Sequence, residues 1–332
     1  MIFTDLTVDD RRDIIDYVSD RTGLSRAVIE KDWWVTAVLR AIFSLPYSDN
    51  MSFKGGTNLS KCWNLINRMS EDIDIAISRE YLGFSGDLSK NQISDKLRRA
   101  SCSFVRNTMI NDVKNALANQ GLTSGLINVS VYETNVSTVD PETIYIAYKS
   151  IFEGNEYILP QVKIEVSGRS MSEPITHVFV RSYISGNLPK LTFEDNPFEV
   201  NAVIPQRTFL EKLFLLHEEF AKPSAEIRIE RMSRHLYDVH RIIQTGIADE
   251  ALADENLYNS VIEHRRKFIS LKGLDYDTLR RSSLKIVPTG EIRDKWKADY
   301  KNTVMNMVMG EAPSFEEIMT ELEDLNKRIN RM

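Results

Sequence analysis

The sequence predicts an α+β protein in two domains: a small mixed sheet flanked by helices, then a helical domain. Three observations carry this. Apolar alternation with period 2 recurs between about residues 72 and 185. A stretch with three prolines, GNLPKLTFEDNPFEVNAVIP at 186–205, interrupts that pattern. Beyond it, apolar residues recur at helical spacing to the end of the chain. The boundary is placed within that stretch, giving residues 1–195 and 196–332.

The chain has 332 residues, enough for two domains, with 42% hydrophobic and 27% charged residues, as in globular proteins. A net charge of −6 and a pI near 5.6 argue against a generic basic nucleic-acid binder, though not against a local basic patch. Two cysteines, Cys62 and Cys102, give neither a disulfide framework nor a zinc spacing. The acidic N-terminus does not read as a signal peptide, and no apolar run reaches the roughly 20 residues of a membrane span. A cytoplasmic protein with no membrane association is expected.

Residues 8–45 read as two helices. Asp9 to Val18 is amphipathic, and Thr22-Gly23-Leu24 breaks it. Ser25 then caps a longer helix whose apolar stripe holds Val28, Trp34, Val35, Val38, Leu39 and Ile42. The charged run Glu30-Lys31-Asp32 reads as a solvated face of that helix.

The chemistry concentrates between Phe53 and Ser78, FKGGTNLSKCWNLINRMSEDIDIAIS. Lys54-Gly55-Gly56-Thr57 enters a helix-like run, and glycine lets the backbone approach an anion closely. A period-2 strand follows. Side chains two apart on a strand share a face, with Cα atoms roughly 6.5–7 Å apart. Asp72 and Asp74 therefore stand together, while Ile73, Ile75 and Ile77 point into a core. Two adjacent carboxylates repel unless a cation or a shared proton offsets the charge. A phosphate cradle beside a dicarboxylate is apparatus for magnesium-dependent phosphoryl or nucleotidyl transfer. Ser70, at the strand entry, joins Gly55, Gly56 and Thr57 as a nucleotide-binding candidate.

A long helical pattern spans about Asn91 to Gln120. Strand candidates follow at Ile127–Tyr132, Thr143–Ile151, Gln161–Val166 and His177–Ser185, punctuated by Asp140-Pro141, Gly154-Asn155 and Gly168. In Val162-Lys163-Ile164-Glu165-Val166, Lys163 and Glu165 share the polar face, as in any amphipathic strand.

In the C-terminal part, Pro205 starts a helix with Leu210, Leu213 and Phe214 on its buried stripe and Lys212 off it. Residues 226–246 read as a second helix, with Arg231, Arg234, His235, Asp238 and Arg241 on one face and Leu236, Val239 and Ile243 on the other. Asp238 could be no more than the partner of Arg234. Basic clusters at 265–267, 280–285 and 293–297, with Trp296, suggest a patch for nucleic-acid phosphates, against the plainer reading of solvated helices. Gly310 and Pro313 stop a helix, and Ser314 with Glu317 forms a capping box for the last one. The five histidines lack metal-protease spacing. No Gly-x-Ser-x-Gly elbow or Walker loop is present.

Apolar-Gly-Gly-Thr, a helix, then Asp72-Ile73-Asp74 resembles the signature of DNA polymerase β-like nucleotidyltransferases. The fuller string, with Glu30-Lys31-Asp32-Trp33, Thr208-Phe209-Leu210-Glu211-Lys212-Leu213 and Arg234-His235-Leu236-Tyr237-Asp238-Val239, is similar to the AbiEii-type toxin branch. The resemblance implies a polymerase β-like nucleotidyltransferase domain with a helical C-terminal domain. It implies Mg²⁺ (or Mn²⁺) on Asp72, Asp74 and a third carboxylate, which Glu165 fits by order. Many relatives carry Asp at that place. It also implies Lys212 on the NTP phosphates and Asp238 in the catalytic set. The expected function is transfer of NMP from an NTP to an acceptor, most readily the 3′ end of tRNA, blocking growth, with a cognate antitoxin and a role in phage defence. Nucleotidylation of a protein, or a non-catalytic binding module, are the alternatives.

Overall fold

The computed structural model describes residues 1–70, 72–132, 140–152 and 158–332. The turn expected at Gly154-Asn155 lies outside them. The chain forms two compact units. One comprises Met1–Cys62 and Met69–Val203; the other comprises Trp63–Arg68 and Ile204–Met332.

The first unit opens with helices α1 (Val8–Thr22) and α2 (Arg26–Phe43). Gly23 ends α1 in the left-handed conformation at φ 71°, and the Ser25 hydroxyl caps α2 by accepting the Val28 N–H. Strand β1 (Met51–Lys54) runs directly into α3 (Gly55–Lys61), and β2 (Asp72–Ile77) follows. Helices α4 (Arg98–Phe104) and α5 (Ile110–Asn119) lie within the long helical stretch, with wider π turns at Gln92–Leu97 and Val105–Met109. Then come β3 (Ile127–Val131), β4 (Glu142–Tyr148), β5 (Gln161–Ser167), β6 (Ile175–Val180), the short helix α6 (Tyr183–Asn187) and β7 (Phe198–Val203). The strand expected through Ser185 stops at Val180, because Ser182 caps a helical turn by accepting the Ser185 N–H.

These strands form one seven-stranded sheet, in the order β3-β4-β5-β2-β1-β7-β6. The β2–β5 and β1–β7 pairs are parallel and the others antiparallel. One face is a core: Ile73, Ile75, Ile144, Ile146, Ile164 and Val166 are all buried. Burying each such side chain is worth about 1.5–3 kcal/mol. A one-residue slip of β2 would expose its isoleucines and bury its aspartates, so the hydrophobic pattern fixes which face carries the charges.

Glu30-Lys31-Asp32 is not a solvated face. Glu30 and Lys31 are 4% and 2% exposed. Each charge has a structural partner instead. Glu30 accepts the Ile151 N–H at 2.9 Å and the Ser150 hydroxyl at 2.6 Å. Lys31 donates to the carbonyls of Leu159 and Gln161. Asp32 pairs with Lys61 of α3 at 2.5 Å and accepts the Tyr183 N–H at 2.7 Å. Burial raises the Glu30 carboxyl above its ordinary pKa, against the lowering effect of its hydrogen bonds.

The second unit is helical. Its long elements are α7 (Pro205–Phe220), α8 (Arg234–Ile243), α9 (Ile247–Ala253), α10 (Glu255–His264), α11 (Gly290–Met307) and α12 (Phe315–Asn330). Pro205 opens α7, and the Ser314–Glu317 capping box starts α12. Helix α8 begins eight residues later than 226. Arg231 sits at φ 59°, and Asp299 accepts the N–H groups of Arg231 and Ser233 at 2.7 and 2.9 Å, fixing the turn before it. Several members of the basic clusters are ion-paired within the protein. Arg265 pairs with Glu218, Arg281 with Glu255, Arg293 with Glu316 and Glu323, and Lys297 with Glu316. Trp296 is fully buried against Phe220. Among the described residues, no helix is long and apolar enough to cross a membrane.

Candidate active site

In the first unit, sheet register gathers the predicted residues on the face opposite the core. Asp72 pairs with Lys163, and Asp74 with Glu165, across the β2–β5 ladder. Lys54 pairs with Asp74 from the other side. Directly paired residues share a face, so three carboxylates stand with two lysines, a net charge of −1 from these five. Lys163 Nζ lies 3.9 Å from Asp72 Oδ1. That oxygen is buried and accepts no hydrogen bond. Among the described residues, no three His, Cys, Asp or Glu side chains already form a metal cage. The register is in place; a closed coordination set is not.

The turn into α3 sits against this face. Gly55 has φ 78°, and a Cβ there would lie 1.9 Å from Asp74 Oδ2. Only glycine fits, on both counts. Thr57 and Ser70 are turned inward: their hydroxyls bond at 2.9 Å, and Thr57 also donates to the Asp72 carbonyl at 2.5 Å. Asn58 donates to the carbonyls of Phe53 and Val203. These bonds lash α3 to the sheet. The hydroxyls of Thr57 and Ser70, both candidates for nucleotide binding, are engaged with each other and with the strand that carries Asp72.

Lys212 and Asp238 meet in the second unit. Lys212 Nζ lies 2.7 Å from Asp238 Oδ2. Both residues are buried, Lys212 at 7% exposure and Asp238 at 0%. Asp238 is therefore not on a solvated basic face, and Lys212 is not an exposed lysine. The reason is a third residue that the sequence did not single out. Arg68 grips Asp238 at 2.6 and 2.7 Å, one contact to each carboxylate oxygen. It belongs to the Trp63–Arg68 segment, which bridges to Val308 and accepts the Met309 N–H through Asn67. No periodicity marks Arg68.

Burial alone would raise the Asp238 carboxyl, but Arg68 and Lys212 outweigh it and hold it well below the usual carboxylate range. Burial pushes the Lys212 ammonium down, Asp238 pulls it back up, and Arg68 and Arg234 add to the lowering. His235 is driven well below its ordinary value by burial, then by Lys212 and Arg234. It is neutral at physiological pH, so the group of Arg68, Lys212, Arg234 and Asp238 carries a formal charge of +2.

A family model described as "Nucleotidyl transferase AbiEii toxin, Type IV TA system" matches residues 37–321. The chain belongs to that family and is a nucleotidyltransferase toxin of a type IV toxin–antitoxin system, which implies an antitoxin counterpart. No curated protein matches the chain. Among solved structures, MenT4, a nucleotidyltransferase toxin from Mycobacterium tuberculosis H37Rv, aligns over 95% of this chain and 92% of its own. The identity is 15% and the TM-score 0.45.

Proposed function

We propose that this protein transfers a nucleoside monophosphate from an NTP to the 3′ end of a tRNA, in the cytoplasm. The observation that carries the reading is the placement of Asp72, Asp74 and Glu165 on one sheet face beside Gly55. The acceptor hydroxyl oxygen bonds to the α-phosphorus, the bond to the β-phosphate oxygen breaks, and pyrophosphate leaves. The hydroxyl proton passes to solvent or a nearby base.

Asp72, Asp74 and Glu165 are a hard oxygen donor set suited to Mg²⁺ or Mn²⁺, and the unbonded Asp72 Oδ1 fits a cation ligand. A divalent ion held there would lower the pKa of the acceptor hydroxyl and steady the triphosphate. The chain's own contributions are separate. Gly55 and Gly56 let the backbone pass close to a phosphate. Lys54 and Lys163 temper the repulsion among the carboxylates. Lys212 is assigned to phosphate charge, a task for which an ammonium is a suitable point charge. Asp238, with both oxygens engaged, favours the role of keeping Lys212 placed over that of deprotonating an acceptor.

The internal pairing of the C-terminal basic groups favours a second acceptor class, a protein target, more than the sequence alone did. One experiment separates the two. Protein with Mg²⁺, total tRNA and each α-labelled NTP should label tRNA, and an Asp72→Ala, Asp74→Ala variant or chelation should abolish the label. Label on protein bands of a lysate, with tRNA dark, would replace the acceptor. No label on either would sink the catalytic reading. Growth arrest on expression, and a role in defence against phage, would follow from tRNA blockade; arrest by the parent but not by the Asp72→Ala, Asp74→Ala variant on induction is the check.

A further inference from the structure

The sheet face that carries the carboxylates continues past them. Asp72 pairs with Lys163, Lys163 with Tyr145 and Tyr145 with Ser130, a single row across β2, β5, β4 and β3. The neighbouring row runs from Asp74 to Glu165 to Thr143, and the Tyr132 N–H donates to the Thr143 carbonyl at 3.0 Å. Residues 130 and 132 are two apart on an extended strand, so Tyr132 lies on the same face as Ser130 and Tyr145.

The two rings are neighbours, with centroids 5.8 Å apart and planes tilted by 44°. Tyr132 is 54% exposed and Tyr145 is half-buried. The opposite face of these strands holds Ile127, Ile144 and Ile146 in the core, so burial does not account for tyrosines on this side. Lys163 stands between Asp72 and Tyr145 in the row, so the aromatic pair adjoins the carboxylates on the same sheet face.

We propose that Tyr132 and Tyr145 form a stacking platform for a nucleobase, serving the site built on Asp72 and Asp74. The proposal rests on reading that face as the transfer site. Every base has a π-face, and stacking on an aromatic side chain is tolerant of sequence. Two sources share this chemistry: the base of the incoming NTP and the terminal base of a single-stranded acceptor.

The test is binding, kept apart from turnover. Full-length protein, a Tyr132→Ala, Tyr145→Ala variant and a Tyr132→Phe, Tyr145→Phe variant are titrated with two probes. These are α,β-methylene NTPs, which cannot be transferred, and a 3′-deoxy-terminated single-stranded RNA. Thermal unfolding confirms that each variant is folded. The alanine pair should weaken one probe by roughly tenfold or more, while the phenylalanine pair stays within about twofold. Loss confined to the methylene NTPs assigns the NTP base; loss confined to RNA assigns the acceptor base. Unchanged affinity for both, no binding by the parent protein, or equal loss in the phenylalanine variant would overturn the proposal. Labelled transfer is measured beside it. Transfer without tyrosine-dependent binding removes only the platform, and tyrosine-dependent binding without transfer removes only the catalytic reading.

Discussion

Arg68 and Asp238 are joined by two short contacts, one to each carboxylate oxygen, although 170 residues separate them in the chain. Lys212 takes a further place on Oδ2. Two cations around one fully buried carboxylate is an arrangement whose parts depend on one another. Removing one partner of a buried pair strands the other charge, at a cost of about 3–5 kcal/mol. Arg68→Met should destabilise the protein by that order in urea unfolding, and Asp238→Asn by as much, since it leaves Arg68 and Lys212 facing each other. An Arg68→Met, Asp238→Asn double variant should cost less than the two singles together. A double variant as unstable as the sum of the singles would mean the two residues act independently.

The same carboxylate has a pH signature. Its folded-state pKa is depressed, so the unfolded state binds the proton more readily. Its contribution is complete above the unfolded carboxylate pKa of about 3.9 and is lost as pH falls below that toward the folded value. Acid unfolding of the parent should therefore be steeper below pH about 4 than that of Asp238→Asn.

His217 senses a milder range. Its Nδ1 accepts the Lys285 N–H at 2.9 Å, so the proton sits on Nε2, facing Thr278 Oγ1 at 2.9 Å. Burial, then Lys285, lowers its pKa to about 4. A histidine lowered on folding stabilises fully above its unfolded value near 6.5 and loses that as pH falls toward the folded value. Unfolding free energy should drop between pH about 6.5 and 4, and His217→Gln should flatten that slope. An unchanged slope would place the titration elsewhere.

Gly55 tolerates nothing larger. A Cβ would strike Asp74 Oδ2, and a side chain at φ 78° is strained as well. Gly55→Ala should cost about 1–3 kcal/mol of stability and, if Asp74 serves the proposed transfer, should cut nucleotidyl transfer far more than stability, because Asp74 is the group displaced. Melting temperature and labelled-NTP transfer, read side by side, separate the two. Transfer at parental level would dissociate Asp74 from the chemistry.

Much of this was legible in the chain. The strand with Asp72 and Asp74, the glycine turn, the Ser25 cap and the Ser314–Glu317 box are local patterns, and local patterns survive into the fold. Failures came where a charge on a helix was read by the helix alone. Glu30, Lys31, Lys212 and Asp238 all sit inside the protein because distant groups compensate them. Sequence spacing cannot register a partner more than a hundred residues away. It missed Arg68 for that reason, and it left the arginines of the C-terminal helices open between a phosphate-binding patch and ion-paired helices, because their carboxylate partners could not be read from spacing.

Six residues, Trp63–Arg68, leave one compact unit for the other and the chain then returns. Neither unit is a continuous stretch of the gene product. A fragment ending at Val203 would carry Arg68 without its aspartate, and a fragment starting at Ile204 would carry the aspartate without its arginine. Recombination at one crossover can therefore exchange neither unit whole. The two would pass between relatives as a pair, a barrier to modular shuffling set by a loop of six residues.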